Sequence, residues 1–136
     1  MVAMNRWIAI VVLACAALVS ACSTNSSPST VAGVPAAVDV TTAAGLRDAG
    51  AVVLDVREPT EWAEGHVPGA TLIPLGELAR RTSELPLDRT VVVICRSGNR
   101  SAQGRDILLD AGYEATSVQG GMTAWRAAGL PLETGG

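Results

Sequence analysis

The chain has no lysine and no phenylalanine, a single histidine (His66) and three cysteines among its 136 residues. Each shortage removes a class of chemistry. Without lysine there is no Walker-type phosphate loop, whose lysine reaches the phosphates, and no Schiff-base enzyme. One histidine cannot build a histidine-rich metal site. Ten basic residues, all arginine, stand against thirteen acidic ones, for a net charge of −3. That balance lacks the basic face a phosphate-backbone binder needs, so no nucleic-acid partner is expected. What is plentiful is apolar character, 49% of residues against 17% charged, in a length that suits one domain and cramps two.

The amino-terminal stretch follows its own logic. Arg6 is the only charged side chain before a run of 15 uncharged residues over 7–21. A membrane-spanning helix needs roughly 20 apolar residues, whereas the apolar region of an export signal needs about 7 to 15. Export is therefore expected, with an uncleaved anchor or an ordinary secretory cleavage near Ala21 as the competing readings. Leu18-Val19-Ser20-Ala21-Cys22, followed by Ser23-Thr24-Asn25-Ser26-Ser27, resembles a bacterial lipobox. Val19 stands where that motif usually has leucine. The resemblance implies that Cys22 is lipidated and becomes the new amino terminus.

From Ser23 to about Val38 the chain is rich in Ser, Thr, Ala, Pro and Gly and carries no charge, which buries too little to order itself. The expected organisation is a leader over 1–21, a tether over 22–37 opened by the lipidated cysteine, and one domain over 38–136. Such a protein sits at the cell membrane, lipid-anchored, with its domain on the extracytoplasmic side. At ~3.4 Å per residue the tether reaches at most ~50 Å. Cys15 leaves with the leader and Cys22 is acylated, so Cys95 remains as a lone thiol with no disulfide partner. An unpaired thiol in an oxidising compartment calls for a function.

Within the domain, residues 50–55, 70–74 and 90–95 are short β-branched apolar runs, and Ala115–Val118 is a fourth candidate strand. Continuous rather than alternating apolarity suggests strands buried on both faces, hence a parallel sheet. Between them lie helix-like segments over 41–49, 59–64, 76–85, 100–111 and 122–128, with Pro86, Gly112 and Gly129 where helices should stop. The pattern predicts an α/β layer fold of about five strands, Ala115–Val118 being the last. In such sheets the working crevice lies beyond the carboxyl ends of the strands. Two candidate strands end in chemically capable residues, Asp55 and Cys95.

After Cys95 come Arg96-Ser97-Gly98-Asn99-Arg100-Ser101 and then a helical run. A strand, a short glycine-containing loop and a helix start place successive backbone N–H groups around the sulfur, and the helix adds positive potential. Arg96 and Arg100 add two charges. All three effects favour the thiolate, which is the nucleophile, and the same cradle suits an anionic substrate.

Those seven residues after a buried strand resemble the active-site loop of single-domain rhodaneses, sulfurtransferases whose loop cysteine carries a persulfide. Asp55-Val56-Arg57-Glu58-Pro59-Thr60-Glu61-Trp62, Gly65-His66-Val67-Pro68-Gly69-Ala70 and Gly120-Gly121-Met122-Thr123-Ala124-Trp125 are similar to further segments of that family, in family order. The resemblance implies a three-layer fold, a central parallel sheet with helices on both faces. It implies that Cys95 takes sulfur from an anionic donor such as thiosulfate and yields it to a thiol or cyanide, with no metal or organic cofactor. It also implies that Asp55 braces the cysteine loop from the neighbouring strand.

Other residues carry plainer alternatives. Arg57 is either an anion-steering group or an ordinary surface arginine, and Asp55 could merely cap a helix. Glu58, Glu61 and Glu64 recur every third residue and share a helix face that is expected to be solvated. A pairing of Glu61 with a loop arginine is the one special role it invites. His66 is expected to fix a turn rather than act as a base, and Trp125 to pack in the core. Arg100, at the helix start, is expected to contact the bound anion, and Arg96 to steer it from solvent.

Related loops that process phosphate or arsenate require arginine six positions after the cysteine, and Ser101 stands there. Mercaptopyruvate sulfurtransferases tend to have glycine directly after the cysteine, where this chain has Arg96. The charged loop therefore favours thiosulfate. A binding-only module is the rival from another class, opposed by the retained cysteine and its two arginines.

Overall fold

The structure, a computed structural model, describes residues 33–136. The leader expected over 1–21, Cys22 and most of the tether expected over 22–37 lie outside the described residues. Strands and helices alternate: β1 (Ala37–Val38), α1 (Val40–Asp48), β2 (Val52–Asp55), α2 (Pro59–Ala63), β3 (Thr71–Leu72), α3 (Leu75–Arg81), β4 (Val91–Ile94), α4 (Asn99–Asp110), β5 (Ala115–Val118) and α5 (Gly121–Ala127). The five strands form one parallel sheet in the order β1-β5-β4-β2-β3.

Strand β4 lies in the middle, and its Val-Val-Val-Ile run is buried on both faces, as continuous apolarity requires. Because side chains alternate along a strand, Val91, Val93 and Cys95 join Leu54, Leu78 and Leu108 on one face. Val92 and Ile94 join Ala43, Met122 and Trp125 on the other. Helices α3 and α4 thus cover one face and α1 and α5 the other, giving the expected three layers. Burying a valine or isoleucine side chain fully contributes ~1.5 to 3 kcal/mol, so this strand is the natural centre of the core. Helix α4 packs close because Gly104 faces the sheet. A Cβ there would sit 3.0 Å from Val93 Cγ1 and 3.3 Å from Val56 Cγ1.

Three differences from the expected elements have physical causes. Strand β1 carries no local signal in its Ala-rich sequence and begins at the last residue of the expected tether. It exists through its neighbour: the Ser117 and Gln119 N–H groups donate to the carbonyls of Ala36 and Val38 at 3.1 and 2.8 Å. The helix expected over 76–85 ends at Arg81 and continues as a single 3₁₀ turn, Thr82–Glu84. Pro86 forces Leu85 into extended backbone and so ends it. Strand β3, expected over 70–74, pairs only at Thr71–Leu72, on the sheet edge.

Candidate functional site

Cys95 follows the last residue of β4, at the carboxyl end of the central strand, and is 1% exposed. The chain then turns sharply at Gly98, whose φ of 116° is a conformation glycine adopts readily. That turn directs the Gly98 N–H back onto Cys95 Sγ at 3.1 Å and caps α4. Burial pushes the Cys95 thiol up. The Ser101 hydroxyl and the N–H groups of Ser101, Gly98 and Ser97 more than offset this, leaving the thiol below its ordinary range. The Ser101 hydroxyl has one proton, which can go to the Gly98 carbonyl 2.8 Å away or to the sulfur. Rotation about one bond hands it to a thiolate.

The loop is also held from behind, by Met122 and Thr123, to which the sequence reading gave a family likeness and a helix start but no contact with the loop. The Met122 N–H donates to the Cys95 carbonyl at 2.8 Å, and the Thr123 N–H and hydroxyl both donate to the Arg96 carbonyl at 3.1 Å. This close approach depends on Gly121, where an added Cβ would fall 2.3 Å from the Cys95 carbonyl oxygen. The Gly120-Gly121 pair was the only sequence signal, and it does not say what approaches.

Asp55, Arg57, Glu61 and Arg100 form one connected system. Asp55 is 0% exposed and Arg57 2%. The Arg57 Nε donates to both Asp55 oxygens at 3.0 Å, its Nη2 to Oδ2 at 2.7 Å, and its backbone N–H to Oδ1 at 3.0 Å. Asp55 therefore spends its hydrogen bonds on Arg57, two residues along, rather than on the cysteine loop. Arg57 is not a surface arginine: it also donates to the carbonyls of Glu61 and Gly65 at 3.0 and 2.9 Å, fixing the turn into α2. Its charge is balanced by Asp55, which leaves little of it for steering.

Glu61, so positioned, accepts two hydrogen bonds from Arg100, both at 2.8 Å, and one from the Glu58 N–H at 3.0 Å. The Arg100 contact holds the Glu61 carboxyl down at about 2. The pairing that sequence left open thus joins α2 to the cysteine loop. It also ties up two of the Arg100 N–H groups expected to face an anion.

Arg96, Ser97 and Asn99 are exposed. Arg96 lines a cleft of about 170 Å³ with Arg57, Glu61, Glu64 and Arg126. His66 lies elsewhere: its ring stacks on Trp62 at 3.6 Å, its Nδ1 is 3.0 Å from the Trp62 carbonyl, and its backbone pairs with Glu133. It fastens the carboxyl-terminal segment, and Trp125 is buried in the core as expected. Among the described residues no cluster of His, Cys, Asp and Glu could hold a metal ion.

A family model described as "Rhodanese-like domain" matches residues 39–128. A protein named "Sulfurtransferase" from Allochromatium vinosum is 42% identical over 82 residues, spanning 60% of this chain and 77% of that protein. "Thiosulfate sulfurtransferase GlpE" from Pseudoalteromonas translucida is 32% identical, across 57% of this chain and 74% of its own. The crystal structure of a rhodanese-related protein from Thermoplasma volcanium superposes with a TM-score of 0.70 at 32% identity, covering 74% of this chain and all of the other. The loop that cradles Cys95, the sheet that presents it and the extent of these matches agree that the chain belongs to the rhodanese-like family.

Proposed function

We propose that the protein is a sulfurtransferase that takes the outer sulfur of thiosulfate onto Cys95 and passes it to a thiol or cyanide. The observation that carries this reading is the Gly98 N–H at 3.1 Å from Cys95 Sγ, within a ring of donors that stabilises negative charge on sulfur. Relatives that bear sulfurtransferase names add support.

The thiolate attacks the outer sulfur of thiosulfate. A new S–S bond forms, the old one breaks, and sulfite leaves with the bonding electrons. The persulfide's negative outer sulfur then occupies the N–H ring. An acceptor nucleophile attacks that sulfur, and Cys95 departs as the thiolate that began the cycle. Arg96, exposed at the mouth, raises the local concentration of the anionic donor. Arg100 is held at the start of α4 by Glu61, where its charge supports the thiolate.

Mass spectrometry of the protein after thiosulfate treatment tests this directly. The expected result is the mass of one added sulfur on Cys95, removed by cyanide and absent from Cys95→Ser. Sulfur loading that persists in Cys95→Ser, or none in the wild type, overturns the reading.

We propose further that Cys22 anchors the protein to a membrane by lipid. The apolar run over 7–21 and the Ser-rich stretch after Cys22 support that reading.

A further inference from the structure

Five charged side chains line the cleft beside the cysteine loop, and two of them are already balanced. Arg57 is neutralised by Asp55 at 2.7 Å and Glu61 by Arg100 at 2.8 Å. The other three, Arg96, Arg126 and Glu64, are exposed and, among the described residues, form no ion pair. The cleft therefore presents two arginines and one carboxylate without ion-pair partners, a surplus of one positive charge.

Arg126 is placed awkwardly for a residue without a ligand. Its Nη2 lies 3.4 Å from the Gly65 carbonyl, the same oxygen that Arg57 Nη2 occupies at 2.9 Å. Two guanidinium groups thus meet at one acceptor, and only Arg57 has a carboxylate beside it, so the charge of Arg126 is the one left for an anion. Arg126 also lies one helical turn beyond Thr123, the residue that clasps Arg96. Positions i and i+3 share a helix face, so Arg126 stands on the side of α5 that holds the loop and lines the cleft with Arg96.

From these placements, and resting on the sulfurtransferase reading above, we infer that Arg126 is a specificity-determining residue that selects carboxylate-bearing thiols as sulfur acceptors. Arg96, next to Cys95 in the chain, lines the cleft, so a thiol seated there lies beside the loop that carries the persulfide. The cleft of about 170 Å³ has room for a small thiol such as 3-mercaptopropionate, since one water needs only ~10 to 15 Å³ of such space. Its carboxylate meets Arg126 and Arg96, and Glu64 keeps the surplus at one charge, matched to one carboxylate. The thiolate attacks the outer sulfur, the new S–S bond forms, and the bond to Cys95 breaks with its electrons going to the Cys95 thiolate. The acceptor's own proton goes to water, and the product is the acceptor persulfide.

The test uses the full chain, thiosulfate as donor, and two acceptors, 3-mercaptopropionate and 2-mercaptoethanol. The readout is the ratio of their kcat/KM values, in which the shared donor step cancels. In Arg126→Met that ratio should fall about tenfold, the loss of one charge-assisted contact, and in Glu64→Gln it should rise. Both side chains are exposed, so folding is not at stake. An unchanged ratio in Arg126→Met, a falling ratio in Glu64→Gln, or a sulfur-loaded wild type that serves neither thiol overturns the inference while leaving the sulfurtransferase reading intact. A Cys95 that gains no sulfur before any acceptor is added overturns both.

Discussion

Gly121→Ala puts a methyl carbon 2.3 Å from the Cys95 carbonyl oxygen and 2.7 Å from the carbonyl carbon and oxygen of Arg96. Ordinary contact begins at 3.4 Å, so the loop backbone must retreat from α5 by roughly 1 Å. The retreat acts on the carbonyls that accept from Met122 and Thr123 at 2.8 and 3.1 Å, and it carries the sulfur with it. A misplacement of ~1 Å can cost ~100-fold in rate. Backbone strain must be separated from this clash, because Gly121 has a φ of 53° and alanine there costs ~1 to 2 kcal/mol on that account alone. Gly129 supplies the control: its φ is 66°, and nothing lies within 4 Å of an added Cβ. Denaturant unfolding should show Gly129→Ala losing ~1 to 2 kcal/mol with thiosulfate:cyanide turnover nearly unchanged. Gly121→Ala should lose ~3 kcal/mol or more, and its folded fraction should turn over ~100-fold more slowly. A folded Gly121→Ala as active as Gly129→Ala would refute the claim that α5 sets the loop's position.

Asp55→Asn removes the counter-charge of a buried arginine, so chemical denaturation should register a loss of ~3 to 5 kcal/mol; a loss below ~1 kcal/mol would mean that Arg57 finds its partner elsewhere. The Glu61 carboxyl is lowered from 4.5 to about 2, chiefly by its hydrogen bonds from Arg100. A lowered carboxyl contributes stability that is full above its unfolded value and is lost as pH falls from about 4.5 toward about 2. With side chains 32% and 24% exposed, solvent screening trims the contribution to ~1 to 2 kcal/mol. The stability gap between wild type and Glu61→Gln should accordingly be present at pH 6 and vanish near pH 2, and a gap equal at both ends would remove the ion pair from the account. Cys22→Ala should shift the protein from membrane to soluble fractions, whereas continued membrane attachment would point to an uncleaved 7–21 run.

Much of the domain was legible because its signals are local. Four apolar runs, their interruption by helical segments and the stops at Pro86, Gly112 and Gly129 predict an alternating α/β chain, and Cys95 stands out at a strand end before a glycine turn. The seven-residue loop carries its chemistry in its own backbone, so its residue types suffice to read a stabilised thiolate. Strand β1 was not legible, because two residues pair only once β5 is beside them.

The parts carry local signals: a parallel-sheet domain, a cysteine on an N–H-rich loop, and arginines and carboxylates around it. Tertiary structure decided who pairs with whom. Asp55 turned out to serve Arg57, Glu61 to hold Arg100 across 39 positions of chain, and Gly121 to admit α5 against the back of the loop. Arg126, unremarked in the sequence, came to stand beside Arg57 and Arg96. The reason is physical: periodicity and turn chemistry act within a few residues, whereas an ion pair, a close backbone approach or an uncompensated charge depends on which distant segments the packed sheet brings within a few ångströms.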